Sequence, residues 1–248
     1  MAMFSKDLNA QETLSGTVKY QQTTKFDFSN RIGPARDSQR FKDFIASVPE
    51  EGNFAYVLNF FNGKALYKEN DAEQEALDRN TQRAMHFISM TSPPSLKLLQ
   101  VYYNIEKNKK IEQLELMTRN FIVESEIETK AWKMGTERKK ILDYVCMSAE
   151  LNMENQIIKA WFTPQIPLSI GPDQYTGLPG LVLAVEKDGV TIFLATSIEL
   201  AEPLKKDLSK PKEGNKVSQE KLDKLLAEKV KEFKENPPRR GGGHGGRR

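Results

Sequence analysis

The chain has 248 residues, 38% hydrophobic and 29% charged, which is enough apolar content for one sizeable core. Its formal charge of +3 rests on four arginines among the last ten residues, without which 33 basic side chains face 34 acidic ones, so the body offers no basic surface to nucleic acid. The single cysteine, Cys146, excludes an internal disulfide and every multi-cysteine metal site, and no stretch has the length of a membrane-spanning helix.

Leu8-Asn9-Ala10-Gln11 has the small-residue character of a secretory cleavage site after Ala10, yet Met1 to Asp7 holds no apolar run. Residues 1–11 are therefore read as a shortened leader. An antiparallel β domain is expected over residues 12–203. Alternation from Gly16 to Phe28 predicts a long strand with a polar face, and Phe41, Phe44, Ile45 and Val48 lie at helical spacing within Arg36 to Val48, before Pro49. Phe54 to Phe61 and Lys64 to Tyr67 flank Asn62-Gly63, the strongest two-residue hairpin signal in the chain. Between Glu69 and Pro94 the pattern is mixed, and both helical and loose readings of Asp71 to Asp78 stay open.

A meander follows. Strands are predicted at Leu99–Ile105, Lys110–Met117, Asn120–Ile127, Lys130–Glu137, Ile141–Leu151, Ile157–Phe162, Leu181–Val185 and Val190–Leu200, with Asp188-Gly189 as another hairpin turn. Short connections between neighbours imply antiparallel pairing. The fold class is thus mainly β with some helix: a single curved antiparallel sheet or half-barrel, one helix in the N-terminal half and an amphipathic helix at the C-terminal end. Residues 204–236 are read as a charged, proline-containing linker and then a helix capped by Ser218, with Leu222, Leu225, Leu226, Val230 and Phe233 on one stripe. Residues 237–248, rich in glycine and arginine, are expected to be disordered.

One block stands out. Ala160-Trp161-Phe162-Thr163-Pro164-Gln165-Ile166-Pro167 leads through Gly171-Pro172 to Tyr175-Thr176-Gly177-Leu178-Pro179-Gly180-Leu181, where Pro179 and Gly180 have the residue types of a type II turn spanning Leu178 to Leu181. Together with Tyr102-Tyr103-Asn104, Ile111-Glu112-Gln113, Trp132-Lys133 and Tyr144-Val145-Cys146, this block resembles the GLPGLI family of Bacteroidota-type envelope proteins, whose activity is not established. The resemblance implies export to the periplasm or cell envelope. Ser148, where the family often has lysine, and Val182, where its name has isoleucine, depart from the pattern.

The chemistry available is sparse. His86 and His244 are too few and too far apart for a histidine metal centre, so neither metal nor cofactor is expected, and His86 is read as a partly buried structural residue. Cys146 alternates with Tyr144 and Ser148 and has no histidine near it in sequence, which favours a small buried filler over a nucleophile. The glycines of 171–180 lack a phosphate-loop pattern, and Ser218-Gln219-Glu220-Lys221 reads as a helix cap rather than an acylase motif. Charged residues alternating along strands are taken as solvated faces, and scattered methionines as core filling. Trp132, Tyr144, Cys146, Trp161, Tyr102 and Tyr103 are candidates for a shared core or cavity wall.

Three functions follow from these readings. The first is a non-enzymatic envelope protein that binds a lipid, another hydrophobic ligand or an outer-membrane protein partner. The second is an assembly protein using Pro164 to Gly180 as its contact surface, and the third is an uncharacterised hydrolase. The orientation of Ile166, Leu168, Ile170 and Leu178 discriminates the first two.

Overall fold

A computed structural model describes residues 14–26, 28, 38–73, 77–153 and 156–236. The leader, the start of the first predicted helix, part of the 71–78 segment and the Gly/Arg tail lie outside the described residues. Twelve strands form one open sheet: β1 (Ser15–Lys25), β2 (Glu51–Phe61), β3 (Lys64–Glu69), β4 (Lys97–Asn104), β5 (Lys109–Leu116), β6 (Arg119–Glu126), β7 (Lys133–Ile141), β8 (Tyr144–Met153), β9 (Gln156–Thr163), β10 (Leu181–Lys187), β11 (Thr191–Glu199) and β12 (Asn215–Lys216). Their hydrogen-bonded order is β12-β6-β5-β4-β3-β2-β1-β11-β10-β9-β8-β7. Two meanders therefore walk away from β1, which pairs with β2 on one side and β11 on the other.

Local chemistry explains most turns. Asn62-Gly63 and Asp188-Gly189 have positive φ at both residues, as two-residue hairpins require. Met117 and Thr118 make the β5–β6 turn with φ of 48° and 68°, although neither residue type announces it. The expected break between Lys130–Glu137 and Ile141–Leu151 falls elsewhere: the chain turns at Leu142-Asp143, and a register shift between Met134 and Arg138 absorbs the misfit.

Helices α1 (Gln39–Ser47), α2 (Arg79–Thr91) and α3 (Gln219–Glu235) start on side-chain caps at Ser38, Asp78 and Ser218. Phe41 and Phe44 of α1 meet Phe87 of α2, with ring centroids 5.2 to 6.1 Å apart, and Phe28 lies against Phe44 and Phe87. His86 is exposed on α2 rather than partly buried, because its position faces away from this phenylalanine contact. Met90, Met117, Met134 and Met153 are also exposed, so these four fill no core.

The charged linker is not free of the sheet. Asn215 and Lys216 pair with Phe121 and Ile122 of β6 in a parallel register, the exception to the antiparallel pattern, and Gln113 Nε2 donates to Glu213 O at 2.8 Å. Leu222 of α3 then packs with Leu114, Leu116, Phe121 and Val123. This edge is closed by the chain itself.

The 164–180 loop decides the core. Ile166, Leu168 and Ile170 lie on the sheet face that carries Val18, Leu58, Tyr67, Val101 and Tyr103. Register puts Val18, Leu58, Tyr67 and Val101 opposite one another in a row across four strands. Leu181 N–H donates to Ile166 O at 3.0 Å and Val182 N–H to Ile170 O at 3.0 Å, so the loop pairs with the start of β10. Gly180 N–H donates to Leu178 O at 2.8 Å, which makes a three-residue turn about Pro179 in place of the expected type II turn, whose bond would come from Leu181. Gly180 has φ of 154°, and a Cβ there would stand 2.1 Å from Thr163 O. Close approach to β9 is thus the reason for glycine. Gly180→Ala should lower stability by about 3 kcal/mol, from strain and overpacking together. Chemical denaturation checks this, and parental stability would mean that the loop is not pressed on β9.

Candidate functional site

Lys110 and Glu112 alternate on β5 with Leu114 and Leu116, so all four point to one face. Lys110 is 6% and Glu112 2% exposed, and Lys110 Nζ lies 3.0 Å from Glu112 Oε2. Two charges removed from water need such a partner to be tolerated. The expectation that alternating charges mark a solvated face fails here, because the loop covers this face. Across the sheet Lys110 pairs with Tyr103 and Ser125, and Glu112 with Val101 and Val123, while Tyr67 faces Val101. Tyr67, Tyr103, Lys110, Glu112 and Ser125 therefore share one face.

Asp173 comes to this patch from the loop. Its backbone has φ of 54°, the left-handed region, and its carbonyl accepts from Tyr103 Oη at 3.3 Å. A second side-chain donor holds the loop, Trp132 Nε1 donating to Thr176 O at 2.8 Å, while Tyr20 Oη donates to Val182 O of β10 at 2.7 Å. Burial pushes the Asp173 carboxyl above its ordinary value; Lys187 opposes this, Glu112 adds to it, and Lys130 and Lys110 oppose it again. Burial likewise pushes the Tyr67 and Tyr103 hydroxyls well up, with Asp173 adding to both and Glu112 to Tyr103. These phenols stay protonated donors at neutral pH.

Among the described residues, Tyr67 Oη, Glu112 Oε1 and Ser125 Oγ are buried without a hydrogen-bond partner.

The residues singled out by sequence are placed in three surroundings. Cys146 and Trp161 pack with Ile166 and Leu181, with half-buried Tyr144 against them, and Tyr103 belongs to the same cluster. Trp132 packs elsewhere, with Tyr175, Leu178 and Phe162, its ring 6.4 Å from Tyr175. Tyr102, on the opposite face of β4 from Tyr103, lies under Lys210 Nζ at 5.5 Å. Along the loop Gly171, Pro172, Tyr175, Leu178, Gly180 and Leu181 are buried, whereas Pro164, Pro167, Gly177 and Pro179 are exposed. Gly177 has φ of 91° and its N–H donates to Ser169 O. Among the described residues no three His, Cys, Asp or Glu side chains gather as a metal site. Sequence reading missed Lys110, Tyr67, Ser125 and Asp173, and treated Glu112 only as part of a family pattern. The available signal was two charges in phase with Leu114 and Leu116 on one strand.

Cys146 has no exposed surface, and burial pushes its thiol up to about 11. Near neutral pH it should label with maleimide more slowly than a free thiol until urea unfolds the chain, and Cys146→Ala should cost about 1 kcal/mol. Asp173 yields a pH prediction. Folding raises this acid's pKa, so its favourable contribution is complete below the ordinary value of 3.8 and is lost as pH rises through the folded value. Asp173→Asn keeps the carbonyl and suits the left-handed backbone. It should melt above the parent at pH 7 and converge with it near pH 3, and a lower melting point at pH 7 would contradict the cost of burying this carboxylate.

Residues 150–184, which contain the end of β8, all of β9, the whole loop and the start of β10, match the profile of a family described as a protein of unknown function (Porph_ging). No curated protein matches the chain. Two solved structures of PNGF-II share the fold. The one in space group C2 has a TM-score of 0.56 at 14% identity, covering 87% of this chain and 33% of that one. The one in P21 has a TM-score of 0.54 at 15% identity, covering 87% and 34%. The chain thus spans about a third of the length of the PNGF-II chains it resembles.

Proposed function

We propose that this chain is a non-enzymatic protein of the bacterial cell envelope that binds a protein partner. The observation that supports this most is the filling of the face a lipid would need: Ile166 and Ile170 are 1% exposed, Leu168 5% and Leu178 1%. Each of these side chains gains about 2 kcal/mol by burial, so a greasy ligand would have to displace contacts of equal quality. The loop accordingly serves as a roof, and the assembly reading that used it as a contact surface loses its apolar side chains. Recognition moves to the outside of the sheet, where Ile157, Ile192 and Leu194 remain exposed.

A hydrolase would need an activated nucleophile, and the buried, high-pKa thiol of Cys146 argues against that role. The envelope location follows from the family resemblance, and no helix of the described residues is long and apolar enough to cross a membrane. A fold similar to this one occupies about a third of the longer PNGF-II chain, which accords with a module that packs beside other protein. Native mass spectrometry of the gently purified chain should give the bare protein mass, and fractionation should place it in the periplasm or envelope. A stoichiometric co-purified lipid would overturn the preference for a protein partner.

A further inference from the structure

The two ends of the sheet differ. At one end β6 is covered by β12 and α3, with Val217 N–H donating to Ile122 O at 3.0 Å. At the other end β7 is the last strand, pairs only with β8 among the described residues, and is buried at Ile141 alone. Apart from the bulge between Met134 and Arg138, this strand has one open edge whose N–H and C=O groups an added strand completes.

Charge narrows the partner. β7 carries Lys133, Arg138, Lys139 and Lys140 against one acid, Glu137, which Lys159 already engages. Lys133 and Arg138 pair with no carboxylate among the described residues, and Lys140 meets the exposed Asp143 at 3.3 Å, a surface pair that contributes little in water. By register with β8, Met134, Arg138 and Lys140 stand on one face and Lys139 on the other, where it lies 4.2 Å from the centre of the Trp161 ring. Met134 and Val145, 47% and 51% exposed, add apolar surface beside the cations. Like charge opposes pairing between two copies of β7, and edge lysines guard against indiscriminate addition. An acidic strand turns that guard into attraction.

We infer that β7 is the docking edge for an extended acidic segment of a partner protein, which adds to the sheet as a further strand. This rests on the reading of the chain as a protein-binding module. Backbone hydrogen bonds along the open edge supply affinity, and carboxylates opposite Arg138 and Lys140 supply selectivity.

The test uses the full chain and a fluorescein-labelled peptide of alternating threonine, valine and glutamate. A peptide with lysine for glutamate and one with methylated backbone nitrogens are controls. The acidic peptide alone should raise anisotropy, lose affinity in salt and slow amide exchange across 133–141. Arg138→Glu with Lys140→Glu should weaken it by about tenfold without moving the melting temperature. No binding, equal binding of a control, or protection elsewhere overturns the inference, as does self-association that protects β7. In cells, a photo-crosslinking residue at Thr136 should capture a partner that one at Thr196 does not. Capture at Thr196 alone sinks the edge but keeps the protein-binding reading, and capture at neither sinks both.

Discussion

The structure depends on one contact, the packing of Ile166, Leu168 and Ile170 onto the face of the sheet that carries Val18, Leu58, Tyr67 and Val101. An open sheet of this size has two faces to protect and no closure to do it. Here a segment without regular structure does the work of a second layer, because three apolar side chains alternate within five residues and lie flat across the strands. The backbone this exposes to burial is matched by bonds to β10, by the Tyr103 hydroxyl and by the Trp132 indole N–H. Remove the loop and the row from Val18 to Val101 would face water.

The roof also explains the polar cluster. Lys110, Glu112 and Asp173 would be ordinary surface charges on an uncovered sheet, and become a low-dielectric constellation only because the loop seals them in. Tyr67 Oη, Glu112 Oε1 and Ser125 Oγ show that the local hydrogen-bonding capacity is not used up within the chain.

The same economy governs the edges. The chain uses a linker and a helix to cover β6, and leaves β7 protected by charge alone. The loop fills the face it covers, while Ile157, Ile192 and Leu194 stay exposed. The part matched by the family of unknown function, residues 150–184, is the part that builds the roof, so that match bears on architecture more than on recognition.

Sequence alone determined the strand meander, the Asn62-Gly63 and Asp188-Gly189 hairpins and the cap at Ser218, because these follow from backbone geometry and side-chain period within a few residues. It also pointed to an inert Cys146, from the absence of any neighbouring base. Tertiary structure decided what no local pattern encodes. Alternation at Lys110 and Glu112 is the same whether the face is wet or dry, and only the loop, some sixty residues further on, makes it dry. Two residues of linker become β12 because the edge of β6 is there to pair with, and Gly180 is needed for the nearness of Thr163 rather than for its turn type. Each of these is set by segments distant in the chain meeting in space.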